Sequence, residues 1–307
     1  VPEDRLPRVH RKTHAAATLR GVTPSPAPGP PARLLTPAFV ALFAAALAFF
    51  AAGGIVLPVA TRFADGPLGA DETGVGLAIG AFAIASLVMR PVVGWASDRY
   101  GRRPLLLLGG IVTVAALAMH LVATTLPLFI AARSLLGIGE AFFFVAAVAA
   151  ISDLAPPDRQ GEAINVGSLA VYLGLAVGPF IGETVLGAAG FDAVWLVAGG
   201  IALVATALSA AVPETAPAIV EGRTGPRPRT RLIHPAGIFP GILIMTGAWG
   251  MAGFLAFVPL HATGVGMSGA GLPLALYAGI VMVLRIAFVT APDRFGAARL
   301  SGAALAV

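Results

Sequence analysis

The sequence predicts an all-α membrane protein, and three observations carry that prediction. The 307-residue chain is 57% hydrophobic and only 11% charged, with mean hydropathy +0.89; an ordinary soluble domain carries about 25% charged residues. Eight apolar runs each reach the roughly 20 residues that a helix needs to cross a bilayer. The basic residues fall in the gaps between those runs rather than on one face or stripe, which is a topogenic pattern and not a nucleic-acid surface.

Residues 1–35 form the first segment. It holds six basic residues against Glu3 and Asp4, and five prolines between Pro24 and Pro31. Such a stretch cannot bury enough apolar surface to fold and is expected to be a disordered cytoplasmic tail. No cleavage-type site follows the first apolar run, so the segment does not read as a secretory signal. Six spans follow within 36–212: Ala38–Ala60, Gly74–Ala96, Leu105–Ala123, Leu128–Ile151, Ala163–Leu186 and Ala193–Val212. A polar, Pro- and Gly-rich linker over 213–235 carries Arg223, Arg227, Arg229 and Arg231. The rest, 236–307, holds spans at Ala236–Leu260 and Gly271–Thr290 and the start of a ninth run near Leu300. The runs are continuous and Ala/Leu-rich, whereas barrel strands alternate, so helices are expected.

Sixteen of the twenty Arg and Lys lie in the tail, the linker and the loops of one side, and the opposite loops hold only Arg62. That asymmetry places the tail and those loops in the cytoplasm, for a multi-pass protein of the plasma membrane. Arg90, Arg133 and Arg285 are left inside spans. The chain has no cysteine, which excludes disulfides and thiolate chemistry. Its histidines show no paired spacing, so no metal site is expected. No phosphate loop, nucleophile elbow or dinucleotide fingerprint appears, so neither an enzyme nor a cofactor is expected.

The loop after the second span reads Gly94-Trp-Ala-Ser-Asp98-Arg99-Tyr-Gly101-Arg102-Arg103-Pro104. An acid and three arginines at set offsets do more than anchor a loop. The spacing G-x-x-x-D-R-x-G-R-R resembles the loop between the second and third helices of major facilitator superfamily transporters. A fainter copy lies 195 residues on, where Arg285, Asp293-Arg294 and Gly296 repeat Arg90, Asp98-Arg99 and Gly101. The resemblance implies the superfamily fold: two six-helix bundles related by a parallel repeat, rocking about a central site. It also implies a cytoplasmic gate built from Gly94, Asp98, Arg99, Gly101, Arg102, Arg103, Asp293 and Arg294, with Gly94 admitting a neighbouring helix. Twelve spans are expected of the family, and the reading here is a complete first bundle with a partial second. In the family fold the acid ending the second helix meets the eleventh, so Asp98 is expected to meet only its own loop. Asp293 is expected near the start of the fifth span, Gly161–Asn165.

Two further motifs lie inside spans. Arg133-Ser-Leu-Leu-Gly137-Ile-Gly139-Glu140 resembles the superfamily pattern R-x-x-x-G-x-G, whose arginine is thought to take part in proton coupling. A charge at membrane depth is costly and needs a partner or a wet cavity. Glu140, seven residues on, falls on nearly the same helix face and departs from the family's small residue. Both are expected to face the central cavity. In the fifth span Gly174, Gly178-Pro179 and Gly182 present a smooth face with a proline kink, and resemble the antiporter motif of superfamily exporters; Glu183 replaces the usual second Gly. Pro213-Glu214-Thr215 resembles a common family ending of the sixth span. Arg90 and Arg285 read as anchors snorkelling to the interface, Phe142–Phe144 as helix packing, and His120 as interfacial.

The resemblance implies secondary transport of a small molecule, with protons and the lipid bilayer as the other partners and a monomer as the working unit. The first span has no charge from Phe39 to Ala60, and the seventh offers mainly Met245, Thr246 and Trp249. A sugar site would leave hydroxyls unpaired against such walls. The antiporter-like resemblance implies proton-coupled efflux, and the apolar walls make a lipophilic, cation-bearing compound the expected cargo, with Glu140 as counter-charge. The alternatives are an importer of a small metabolite or sugar and, in another class, a non-transporting truncated membrane protein.

Overall fold

In a computed structural model the chain is described over 33–216 without a break and, beyond that, over 238–239, 241–247, 250, 265–266, 271–288, 290–296 and 302. The expectations for residues 1–32, most of the 213–235 linker, much of the seventh span and the start of a ninth lie outside the described residues. Every described element is a helix: α1 Pro37–Asp65, α2 Glu72–Tyr100, α3 Arg102–Leu121, α4 Leu126–Leu154, α5 Gln160–Ala210, α6 Gly271–Ala287 and α7 Ala291–Phe295. Five of them, α1 to α5, are long and apolar enough to cross a membrane.

Local chemistry starts and stops these helices. Thr36 caps α1 by accepting from the Phe39 amide at 3.2 Å, with Pro37 at the first turn. Asp71 caps α2 by accepting from the Gly74 amide at 2.8 Å. Such caps satisfy amides that the helix itself leaves unpaired. The helices run beyond the apolar runs, and α2 continues to Tyr100, so Asp98 and Arg99 sit inside it instead of in a loop. The expected loop shrinks to one residue, Gly101, whose φ of 99° is accessible to glycine and costly for any side chain. Gly296, at the equivalent place after α7, has φ 80°, so the repeat in the sequence is echoed in the backbone.

At 51 residues, a straight α5 would be about 77 Å long, far more than a bilayer core of about 30 Å. Gly190 interrupts it with φ 79° and ψ −176°. Before that point Gly174, Gly178 and Gly182 advance alongside Ala51, Gly54 and Ile55 of α1. After it Gly199, Thr206 and Ala210 lie beside Leu117, Gly110 and Arg103 of α3, whose numbers run the other way. The two segments are antiparallel and correspond to the fifth and sixth predicted spans.

Two apolar cores stack along the bundle. One, towards the end that carries Asp98, centres on Phe39, Phe49 and Phe143, with Phe49 and Phe143 stacked at 3.9 Å. The other centres on Phe63, which meets Phe129, Phe191 and Trp195 at 5.1–5.5 Å. Both α6 and α7 contact α5; the side chains of Arg285 and Asp293 lie outside the described residues, and Arg294 on α7 is exposed.

Candidate functional site

The Gly101 turn aims the α3 N-terminus and its two arginines at three other elements. The Arg102 guanidinium donates to Asp98 at 2.9 Å, to Ser97 at 3.2 Å and to Asp153, at the end of α4, at 3.0 Å. One side chain, 10% exposed, thereby ties α2, α3 and α4 together. Asp98 meets Arg102 of its own turn. Arg103 donates to the Ala210 carbonyl at 2.8 Å, joining α3 to the end of α5. Arg99 points elsewhere, over the rings of Trp95 and Tyr100 at 5.7 Å each. Around Gly94 an added Cβ meets nothing within 4 Å among the described residues, so no described helix makes the close approach expected there.

Glu214 completes this cluster. Its carboxylate accepts from the Arg102 amide at 2.8 Å and the Arg103 amide at 3.2 Å, which are free donors at the start of α3. It also accepts from the Thr215 and Ala216 amides at 3.0 and 2.9 Å. Partial burial alone would push this carboxyl up, but the four backbone donors together hold it below the ordinary carboxylate range. A side chain at Gly101 would collide with this carboxylate, so the missing Cβ and the positive φ serve one contact. Thr215 extends it by donating to Asp153 at 3.3 Å. Asp153 was not legible as a site residue: an acid closing a span has no distinguishing neighbour in sequence.

A depressed folded pKa stabilises the fold at pH values above the unfolded carboxyl value, about 4.3, and that contribution is lost as pH falls through the folded value. Glu214→Gln is therefore expected to lower the melting temperature at pH 7 and to flatten its acid dependence. Glu214 is exposed, so the loss should sit near the low end of the cap range, about 0.5–1 kcal/mol. Parallel melting curves of the two proteins from pH 7 to pH 3.5 check this; equal slopes would remove Glu214 from the cap.

The second polar cluster lies along the α2–α4 contact. Arg133 is 3% exposed; its Nε points to the Ala78 carbonyl at 3.4 Å, and its guanidinium lies 5.1 Å from the centre of the Phe82 ring. No carboxylate pairs with it among the described residues. Glu140 lies two turns on and also faces α2. Its Oε2 accepts from Ser86 at 2.5 Å, and its Oε1 lies 3.6 Å from Arg90. The charged neighbour of Glu140 is thus Arg90 of α2 and not Arg133. Arg90 is not a free anchor, since its guanidinium also sits 5.1 Å over Phe144. Gly137 between the two charged residues brings α4 against the Phe82 backbone, which is why both side chains reach α2.

Gly174, Gly178 and Gly182 press α5 onto the α1 backbone, and the kink residue Pro179 lies in the same segment. Glu183, the departure from the motif, pairs with Arg62 at 2.8 Å. Beside this contact α1 and α5 form an open groove of about 370 Å³, lined by Ala44, Leu47, Ala48, Ala51, Leu173, Gly174 and Val177. Its walls are apolar. His120, expected at an interface, is instead buried at 1% exposure between Phe129 and Trp195, with Nδ1 2.7 Å from the Ala116 carbonyl. That backbone contact satisfies one ring nitrogen and lets the ring pack as an aromatic.

Comparison with known proteins gives one consistent answer. The chain is 25% identical over 264 residues to an uncharacterized MFS-type transporter of Salmonella typhimurium, covering 83% of this chain and 66% of that protein. It is 24% identical over 225 residues to multidrug resistance protein 2 of Bacillus subtilis, covering 70% and 56%. The chain thus spans about two thirds or less of the length of these relatives. Its backbone is similar to the human organic anion transporter MFSD10, with a TM-score of 0.50 at 22% identity over 62% of this chain and 49% of that one; this likeness concerns the fold. The family model of the Major Facilitator Superfamily matches residues 38–307. With that match over most of its length, and with helices that order and pair as described, the chain belongs to the Major Facilitator Superfamily.

Proposed function

We propose that the protein is a proton-coupled secondary transporter that exports a lipophilic small molecule by alternating access. The single observation that carries this reading is the placement of a buried arginine and an acid, Arg133 and Glu140, on the α2-facing side of α4. Ionisable groups at membrane depth are costly and mark ion or substrate pathways. The apolar groove between α1 and α5 supports a lipophilic cargo and offers little to a sugar hydroxyl. Similarity to a multidrug resistance protein supports export.

In this reading residues 36–212 form a six-helix bundle, 213–235 a cytoplasmic linker and 236–307 part of a second bundle. The end holding Asp98, Arg102 and Glu214 faces the cytoplasm, because sixteen of twenty basic residues fall on that side. In this reading Gly94, Asp98, Arg99, Gly101, Arg102, Arg103, Asp293 and Arg294 make up the cytoplasmic gate, and the protein works as a monomer in the plasma membrane. Uptake of a radiolabelled lipophilic amphiphile into inverted vesicles tests the reading, with a pH gradient imposed and then collapsed. Accumulation should follow the gradient, and a monosaccharide should not be moved. Accumulation that ignores the gradient would overturn antiport; gradient-driven sugar uptake would overturn the lipophilic cargo.

A further inference from the structure

The charges around Glu140 narrow the cargo further, on the reading that this protein is a transporter. An acid alone at membrane depth would call for a cationic substrate, as expected from the sequence. Glu140 is not alone. Arg90 faces it from α2, so the pair carries no net charge. Their separation, 3.6 Å, exceeds the 2.7–2.9 Å of a direct charge-assisted hydrogen bond. The two oxygens of Glu140 are also unequal. Oε2 is held by Ser86, and Oε1 accepts no hydrogen bond among the described residues. Arg90, with a side chain 46% exposed, is reachable, and its far face is set by the Phe144 ring. One acceptor and one donor group therefore stand close together, each with unused hydrogen-bonding capacity.

We propose that the transported substrate is a zwitterionic amphiphile whose cationic group meets Glu140 Oε1 and whose anionic group meets Arg90. A simple cation bound to Glu140 would take over the charge that now offsets Arg90 and leave that guanidinium uncompensated at membrane depth. A simple anion on Arg90 would strand Glu140 in the same way. An unpaired charge in such surroundings is costly, so each ligand would give back much of what its own contact contributes. A zwitterion keeps both residues compensated. Its apolar body would lie against Phe144, which is half-buried and meets Phe50 edge-on at 6.1 Å.

Three ligands that share a phenyl ring test this by competition against the labelled amphiphile on the reconstituted protein. They are dimethylbenzylammonium propanesulfonate (zwitterion), benzyltrimethylammonium (cation) and 3-phenylpropanesulfonate (anion). The zwitterion should compete at least tenfold better than either of the others. Arg90→Gln should turn the preference to the cation and Glu140→Gln to the anion, each by about tenfold. The double variant should lose charge preference. A wild-type protein that prefers the cation, or an Arg90→Gln protein with an unchanged ranking, overturns the inference. The wild-type ranking decides even if a variant fails to fold. If the amphiphile moves with the gradient but no ligand of the three is preferred, this inference fails and the transport reading stands. If nothing moves with the gradient, the transport reading fails, while the binding ranking still decides this one.

Discussion

Replacing Gly178 with leucine is expected to lower the apparent melting temperature strongly. A Cβ built at Gly178 would lie 2.6 Å from the Ala51 carbonyl oxygen and 2.7 Å from both Cα and carbonyl carbon of Gly54. These are backbone atoms of α1, and they cannot swing aside as a side chain would. Relief requires α5 to move off α1, along a contact that also includes Gly174 and Gly182. Overpacking of this kind costs about 1–3 kcal/mol and sometimes more; three backbone clashes place it at the upper end. Even Gly178→Ala should be measurably destabilised. Gly187→Leu is the control, because a Cβ there meets nothing within 4 Å, and leucine has the better helix propensity. Thermal unfolding of the purified proteins in one detergent reads the difference. Equal melting of the Gly178→Leu and Gly187→Leu proteins would mean that the glycine series does not hold α1 to α5.

The same contact shows what can be read from one chain. A smooth glycine face was legible from its four-residue spacing, because small residues every four positions line one side of a helix. The spans were legible because a bilayer demands about 20 apolar residues in a row. The partners were not. Glu214 caps α3 across 112 residues, and Asp153 reaches Arg102 across 51; no local pattern encodes such pairings. Arg90 and Glu140 show the limit most clearly. Each is legible as an intramembrane charge, yet whether Glu140 meets Arg133 on its own helix or Arg90 on another depends on the register of α2 against α4. That register is set by the Gly137 contact with the Phe82 backbone. His120 was misplaced for a related reason. A histidine near a helix end reads as interfacial, but here its Nδ1 is satisfied by the Ala116 carbonyl of its own helix and its ring is sealed by Phe129 and Trp195.

Arg133→Met is expected to separate stability from transport. Arg133 is 3% exposed and no carboxylate among the described residues compensates it; one carbonyl at 3.4 Å and one aromatic ring are its neighbours. A hydrogen bond of that length is weak, and a cation over an aromatic face is worth about 2 kcal/mol in a dry site. Against this stands an insertion cost of at least ~2.5 kcal/mol for an arginine at the centre of a span. A methionine, shorter but flexible and apolar, would keep much of the packing and shed the charge, so the variant should melt at the same temperature or higher. Removing half of a buried ion pair has the opposite effect, because it strands the partner; Arg102→Met, which would abandon Asp98 and Asp153, should melt lower. Proton-driven transport should fall at least a hundredfold in Arg133→Met, since a charge that the fold does not need is retained for the work it does. Melting curves and gradient-driven uptake on the same preparations decide the matter. A less stable Arg133→Met protein that still transports would make Arg133 a structural residue and take the central element out of the proposed coupling.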